Sequence, residues 1–216
     1  MTEEIFKQMA QSVINGEPED AEALAKQAVA QGVDPLQAIN EGFVQGVNYV
    51  GEQFSLGEMF LPELVLAGEA MKAAVAVLEP ELQKRGAERK MLGKVVLGTV
   101  EGDIHEIGKT LVGTMLSASG FKVFDLGVDV PVDKFIEVAK AEKADIIGMS
   151  ALLTTTMVKQ KTVIDKLAAA GMREKVKVLV GGAPVTQEWA ERIGADGFSP
   201  DAIGSVAIAK KLMGLA

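Results

Sequence analysis

The sequence predicts an α/β protein in which an N-terminal helical bundle precedes a parallel sheet of five strands with helices on both faces. Apolar residues recur at helical spacing through residues 1–88, where almost no strand pattern occurs. From residue 89 onward, short apolar runs alternate with amphipathic stretches, which is the pattern of parallel strands connected by helices. We therefore expect a bundle domain at 1–88 and an α/β domain at 89–216.

Four amphipathic segments make up the first domain. They read IFKQMAQSVI, DAEALAKQAVAQG, DPLQAINEGFVQGVNYVGEQF and LPELVLAGEAMKAAVAVLEPELQKRG. Asp34 before Pro35 is typical of a helix start, whereas Gly32 and Gly86 stand where helices end. Short connections between four helices predict a small bundle.

The polar stretch GAERKMLG links the two domains, and five apolar runs follow it. The runs are KVVLGTV, KVFDLG, ADIIGMS, KVLVGG and a weaker ADGFS, with four helical stretches between them. Ligands of parallel sheets bind beyond the carboxyl ends of the strands, near the point where the strand order reverses. We therefore expect TVEGDIHEIGKTL, MSALLTTT and VGGAP, which follow the first, third and fourth strands, to form one crevice.

The composition limits the class of protein. The 216 residues include no cysteine and a single histidine, His105, which excludes disulfides, iron–sulfur ligation and thiolate zinc sites. A net charge of −8 argues against nucleic-acid binding, although the charge is concentrated in residues 1–88, with 5 basic against 15 acidic residues. No apolar window of about 18 residues and no secretory signal occur, so we expect a cytoplasmic protein that does not bind membranes.

The segment around His105 excludes several common sites. It approaches a phosphate-binding loop at IHEIGKT, but Asp103 replaces the first glycine of that motif. Together with Glu101 and Glu106, Asp103 would place three carboxylates where a triphosphate would lie, and like charges repel strongly at that distance. No G-x-G-x-x-G for a dinucleotide follows the first strand, and no G-x-S-x-G of a hydrolase occurs.

Two interpretations of Asp103 and His105 stay open on the residues alone. Asp103 and Glu106 have the spacing of a capping box at a helix start, in which case His105 is an ordinary residue of the first turn. Alternatively, one histidine is sufficient for a metal whose other ligands come from a macrocycle, because the protein then adds a single axial nitrogen. Asp103 would fix the tautomer of that histidine, and Gly108 would leave room for a bulky group.

Three motifs at the strand ends together resemble the signature of cobalamin-binding domains: Asp103-x-His105-x-x-Gly108, Ser150-x-Leu152 and Gly181-Gly182. Separately, EQFSLGEMFLPELVLAGEAMKAAVAVLEP resembles the helical cap that precedes this domain in cobalamin-dependent methionine synthase. The same cap is found in the corrinoid proteins of methylamine, methanol, methoxyarene and betaine methyltransferase systems. The resemblance covers essentially the whole chain and implies a Rossmann-like, flavodoxin-like sheet preceded by a helical cap domain.

The resemblance implies a cobalamin bound base-off and His-on, with His105 as the lower axial ligand of cobalt and Asp103 hydrogen-bonded behind it. Thr156 would complete this relay where methionine synthase has a serine, and Thr154 and Thr155 are the neighbouring alternatives. The other residues implied to bind the cofactor are Gly108, Ser150, Leu152, Thr154, Gly181 and Gly182 in the α/β domain and Phe54, Leu61 and Leu64 over the upper corrin face. Without the resemblance, the spacing of the last three is that of ordinary helix-core residues.

The function implied by the resemblance is that of a methyl carrier, a non-catalytic subunit of a methyltransferase system. Co(I) would accept a methyl group from a substrate-specific methyltransferase, and methyl-Co(III) would give it to a second methyltransferase that uses tetrahydrofolate or coenzyme M. A corrinoid-reactivating reductase is a further implied partner. The alternatives are a cobalamin-dependent sensor and a flavodoxin-like ligand-binding module, and the sequence leaves methylamines, betaines, methoxyarenes and methanol open as methyl donors.

Overall fold

The structure, a computed structural model, describes residues 2–84 and 91–215. The chain divides into two compact units, Met1–Lys90 and Met91–Ala216. The predicted boundary between residues 88 and 89 lies outside the described residues, as do Gly86 and most of the linker GAERKMLG.

The first unit is helical, as predicted. Its elements are α1 (Thr2–Ile14), α2 (Pro18–Ala30), α3 (Pro35–Gln37), a π-helical turn (Ala38–Phe43), α4 (Val44–Ser55) and α5 (Leu61–Lys84). The short α3, the π-helical turn and α4 follow one another without a break, so each of the four predicted amphipathic segments forms one helical stretch. No helix within residues 2–84 and 91–215 has the combination of length and apolarity that crossing a membrane requires.

Local signals explain where these helices begin and end. The side chain of Asp34 accepts a hydrogen bond of 3.0 Å from the backbone N–H of Gln37, which satisfies one of the free donors at the start of α3. Gly32 follows α2 with a φ of +73°, a conformation that glycine adopts without steric cost. Both predicted signals are confirmed. The apolar faces of the helices form the core of the unit, with fully buried Met9, Phe43 and Met71 among its largest side chains.

The second unit contains a parallel five-stranded sheet, as predicted. The strands are β1 (Lys94–Thr99), β2 (Lys122–Asp125), β3 (Ile146–Ser150), β4 (Lys177–Gly181) and β5 (Gly197–Phe198). Their order across the sheet is β2-β1-β3-β4-β5, which is the flavodoxin-like order. The strand order reverses at β1, which pairs with β2 on one side and β3 on the other. The loops after β1 and β3 therefore flank the position at which ligands of such sheets bind.

Five helices connect and follow the strands. They are α6 (Ile107–Ala118), α7 (Val132–Glu142), α8 (Val158–Ala169), α9 (Gln187–Ile193) and α10 (Ala202–Leu212). The first four correspond to the predicted helical stretches. Helix α10 was not predicted, and it begins after Asp201. The Asp201 carboxylate accepts a hydrogen bond of 2.7 Å from the backbone N–H of Gly204.

The central strands are covered on both faces, which explains why they read as continuous apolar runs. Val96, Ile147 and Val178 pack on one side of the sheet in a core that includes Phe135 of α7, and all four are fully buried. Each such side chain contributes about 1.5–3 kcal/mol by leaving water. The buried sheet is the rigid element from which the loops at its carboxyl edge extend.

Candidate functional site

The loop after β1 carries Asp103 and His105, and it runs further than a capping box allows. Helix α6 begins at Ile107, and Glu106, which precedes it, makes no side-chain capping bond. Asp103 therefore lies outside the helix start. The capping-box interpretation is wrong, because the Asp103 carboxylate is bonded to other groups.

The Asp103 side chain is fully buried and accepts four hydrogen bonds. Its Oδ1 accepts from the backbone N–H of His105 at 3.2 Å and lies 2.6 Å from Nδ1 of the same residue. Its Oδ2 accepts from the backbone N–H of Leu152 and from the hydroxyl of Thr156, both at 2.7 Å. The loop after β3 thus supplies two of the four donors, and both carboxylate oxygens are fully used.

These bonds decide the protonation of the pair. Burial by itself raises the pKa of the Asp103 carboxyl group, but the hydrogen bonds from Thr156, His105 and Leu152 outweigh it and hold that pKa well below its ordinary value. Asp103 is therefore ionised near neutral pH. Since a carboxylate can only accept, Nδ1 of His105 carries a proton, and Nε2 keeps its lone pair in the neutral ring.

His105 presents this nitrogen beside open space. The side chain of His105 is 45% exposed, and none of the described residues hydrogen-bonds to Nε2. A Cβ placed on Gly108 would have no atom within 4 Å. Ile104 and Ile107, on either side of His105 in the chain, are 76% and 80% exposed. A free imidazole nitrogen between exposed apolar side chains suits a large, flat, partly apolar group that carries a metal.

The three threonines that the sequence left open lie in different surroundings. Thr156 is buried and its hydroxyl reaches Asp103, whereas Thr154 and Thr155 are exposed and make no such bond. The reason is the course of the chain after β3, which turns back before α8 begins. Leu152 reaches the same carboxylate through its backbone N–H, and its own side chain is partly exposed.

The loops after β3 and β4 lie against each other. Ser150 and Gly181 end these two strands and are partly buried. At Gly182, with a φ of +121°, a Cβ would come within 1.8 Å of the carbonyl oxygen of Ala151. Only glycine fits there, so the predicted Gly181-Gly182 pair permits a close approach of two backbones.

Phe54, Leu61 and Leu64 belong to the helical unit. Leu64 is fully buried and Phe54 is partly buried, whereas Leu61 is 42% exposed. Leu64 thus has the burial expected of a helix-core residue, which was the alternative for all three. A role for them over a bound corrinoid stays a prediction.

Three polar residues at this edge of the sheet were not predicted from the sequence. Asp129, in the connection between β2 and α7, accepts a hydrogen bond from the N–H of Gly102 and donates one to the carbonyl of Asp103. Lys109 has a fully buried side chain whose ammonium group pairs with Asp125 at the end of β2. The signal available in the sequence was the position of both aspartates, which end or follow a strand at the ligand-binding edge.

Comparison with known proteins agrees with this geometry. Two family models, each described as a B12 binding domain, match the chain at residues 93–207 and at residues 5–79. The first match contains the whole sheet with the loops after β1, β3 and β4. The second match covers most of the helical unit.

Three similar proteins span nearly the whole chain. The trimethylamine corrinoid protein of Methanosarcina barkeri is 47% identical over 208 residues, which are 96% of each chain. Dimethylamine corrinoid protein 1 of Methanosarcina mazei is 47% identical over 211 residues, 98% of this chain and 97% of that protein. The crystal structure of the methanol:cobalamin methyltransferase complex from M. barkeri aligns at a TM-score of 0.87 with 30% identity, covering 99% of this chain and 81% of that chain.

Proposed function

The chain belongs to the corrinoid proteins of methylamine and methanol methyltransferase systems, which contain B12-binding domains, and from this premise we propose that it is a methyl carrier with His105 as the lower axial ligand of its cofactor. When bound, the corrinoid supplies a cobalt centre that accepts a methyl group from one methyltransferase and yields it to another. The protein binds the cofactor, orients it and tunes its axial ligand.

One observation carries the proposal. The Nδ1–H of His105 is held at 2.6 Å by the buried, ionised Asp103, and this leaves the lone pair of Nε2 for a metal. A carboxylate behind a ligating histidine fixes the tautomer and raises the basicity of the ring. The open space at Gly108 and the exposed Ile104 and Ile107 fit a macrocycle at the same place.

The loop after β3 fixes the carboxylate behind His105. The Thr156 hydroxyl and the backbone N–H of Leu152 both donate to Oδ2 of Asp103, so Oδ1 keeps its orientation toward the imidazole. In this proposal the relay orients the imidazole, and the transferred group does not contact it.

The base-off, His-on mode requires space for the displaced nucleotide tail. We assign the tail to the loops after β3 and β4, where Ser150 and Thr154 offer hydroxyl groups and Gly181 and Gly182 border the same edge of the sheet. Leu152 offers an apolar contact beside the relay. On the upper face of the corrin we expect Phe54, Leu61 and Leu64, with Leu61 the most exposed of the three.

The partners follow from the role of a carrier. One is a substrate-specific methyltransferase, and the names of the 47%-identical relatives favour a methylated amine as its substrate. The other is a methyltransferase that passes the methyl group to tetrahydrofolate or coenzyme M, with a corrinoid-reactivating reductase as an accessory partner. Loading the carrier with trimethylamine or with methanol, each with its own methyltransferase, and following the visible spectrum tests the donor. Faster methylation from methanol would contradict a methylamine donor, and adding each acceptor in turn with its methyltransferase tests the acceptor.

The axial-ligand assignment has a direct spectroscopic test. The protein contains a single histidine, so growth with ¹⁵N-labelled histidine labels the imidazole of His105 alone. After anaerobic reconstitution with hydroxocobalamin, desalting and reduction to Co(II), we expect the nitrogen splitting in the EPR spectrum to change from triplets in unlabelled protein to doublets in labelled protein. His105→Ala should lose the doublets.

Two results would contradict the proposal in different ways. Failure to retain the corrinoid after desalting would exclude the carrier function for this chain. Retention with triplets in the labelled protein would mean that the cofactor keeps its own base on cobalt, and the His-on assignment would be wrong. Glu106→Ala, a change of an exposed neighbour in the same loop, is the matched control and should behave like the unmodified protein.

A further inference from the structure

Asp129 lies in the connection between β2 and α7 and hydrogen-bonds to the loop that carries Asp103 and His105. Its Oδ1 accepts a hydrogen bond of 2.7 Å from the N–H of Gly102, and its own N–H donates a bond of 2.9 Å to the carbonyl of Asp103. The first bond is on the peptide between residues 101 and 102 and the second is on the peptide that follows Asp103, so Asp129 contacts both ends of the 102–103 segment. The base of the relay carboxylate is thus fixed by a residue 26 positions further along the chain.

Asp129 does this in a backbone conformation that few residues other than glycine adopt. Its φ of +51° lies in the left-handed region, and within the described residues only Lys143 shares a positive φ without being glycine. Lys143 has an evident local role, because it ends helix α7. Asp129 ends no helix and is exposed to solvent, so burial does not account for its conformation. Strain of this kind persists where the surroundings impose it, often beside a functional site.

The residue after Asp129 is bonded to the end of β1, which constrains the backbone at Asp129. Val130 donates its N–H to the carbonyl of Thr99 and pairs with Val100, so the chain next to Asp129 continues the sheet beyond β1. The backbone N–H and the carboxylate of Asp129 both bond to the 102–103 segment in this conformation. Gly102 also has a positive φ, of +83°, which glycine adopts without steric cost, and it donates its N–H to the Asp129 carboxylate.

We propose that Asp129 is a positioning residue that aligns the Asp103–His105 relay and thereby sets the fraction of cofactor bound through His105. The inference rests on the proposed function, in which Nε2 of His105 is the axial ligand. The proposal concerns the hydrogen-bond acceptor at position 129. Without it, the Gly102 amide loses its partner, and Asp129 keeps only the backbone bond from its N–H to the carbonyl of Asp103. The carboxylate then samples positions from which it orients the imidazole less well.

Three substitutions separate the acceptor from the strain. Asp129→Asn keeps an acceptor oxygen in a residue that tolerates the left-handed region. Asp129→Gly removes the acceptor and relieves the strain at once. Lys143→Gly, a matched control, relieves the same strain at the only other such position in residues 2–84 and 91–215, away from the loop.

Two readouts are measured on each variant. In the cofactor-free protein, amide hydrogen exchange of Gly102 and the Nδ1–H resonance of ¹⁵N-labelled His105 report the alignment of the relay directly. In the reconstituted Co(II) protein, the fraction of the EPR signal with ¹⁵N doublets reports binding through His105. We expect Asp129→Gly to make amide exchange at Gly102 roughly tenfold faster, as for the loss of one hydrogen bond to a charged group. The ratio of His-bound to His-free cobalt should fall by roughly the same tenfold factor. Asp129→Asn and Lys143→Gly should stay within about twofold of the unmodified protein.

The outcomes distinguish this inference from the proposed function. An Asp129→Gly protein with an unchanged Nδ1–H resonance and Gly102 exchange overturns the inference, whatever the cofactor does. The same conclusion follows if Asp129→Asn is as defective as Asp129→Gly, because the charge and not the acceptor would then matter. Absence of ¹⁵N doublets in the unmodified protein sinks the axial-ligand proposal instead, while the measurements on the cofactor-free protein still decide the role of Asp129.

Discussion

Replacing Thr156 by valine removes the hydroxyl that donates to the buried Asp103 carboxylate and lies 3.0 Å from the carbonyl oxygen of Leu153. Valine keeps the branched shape of threonine, and Thr156 is only 7% exposed, so water does not replace the lost hydroxyl freely. The hydroxyl donates to Oδ2 of Asp103 at 2.7 Å, one of four bonds to that carboxylate. Hydrogen bonds to charged groups contribute about 1.5–3 kcal/mol to stability, and we expect a loss in this range.

Urea unfolding of the cofactor-free protein at pH 7 measures this loss. Thr154→Val is the matched control, because Thr154 lies two residues away on the same loop, is exposed and makes no bond to Asp103. Its unfolding free energy should stay within about 0.5 kcal/mol of the unmodified protein. Thr156→Ser keeps the donor and should recover most of the difference between the two valine variants.

The same substitution has a second, independent consequence. With one donor fewer, the pKa of Asp103 should rise toward its ordinary value, since the bond from Thr156 is the strongest of the effects that lower it. Carbon-13 NMR of the carboxyl group during an acid titration measures this shift. Equal stability of Thr156→Val and Thr154→Val, together with an unchanged Asp103 titration, would refute the assignment of Thr156 to the relay.

Three further predictions concern the surrounding structure. Gly182→Ala should cost about 3–5 kcal/mol of unfolding free energy, because steric overlap adds to backbone strain. Gly171→Ala, with a φ of +68° and open space, should cost only about 1–2 kcal/mol, and equal costs would contradict the close approach of the two loops. Because its pKa is lowered in the folded protein, the ionised Asp103 stabilises the fold above the unfolded pKa of about 3.9. This stabilisation is lost as pH falls toward the folded pKa. The stability difference between the unmodified protein and Asp103→Asn should therefore be constant from pH 7 to about pH 5 and shrink below about pH 4; a flat difference down to pH 3 would be inconsistent with this. Asp125→Asn leaves the buried ammonium of Lys109 unpaired and should cost about 2–3 kcal/mol, whereas Lys109→Met should cost less than about 1 kcal/mol because Asp125 is 40% exposed. Thermal or urea unfolding checks the order, which the reverse ranking would disprove.

Features that depend on local periodicity and composition were determined by the sequence. The helical spacing through residues 1–88 and the buried runs from KVVLGTV to KVLVGG arise from which faces of each segment leave water, and neighbouring residues decide that. The positions of Asp103 and His105 after a strand, and of Gly181 and Gly182 after another, follow from the same alternation. The sequence also shows directly that the chain has no cysteine, which restricts the metal chemistry available to it.

Contacts between segments distant in the chain were decided only by the tertiary structure. The donors to Asp103 from Leu152 and Thr156 lie 49 and 53 residues away, so spacing alone left three threonines open and allowed a capping box. The bond between Asp129 and Gly102 and the ion pair between Lys109 and Asp125 likewise form where the ends of β1 and β2 lie side by side. A hydrogen bond depends on the distance between two atoms, and for residues on different strands that distance is set by the strand order and by the packing of the sheet.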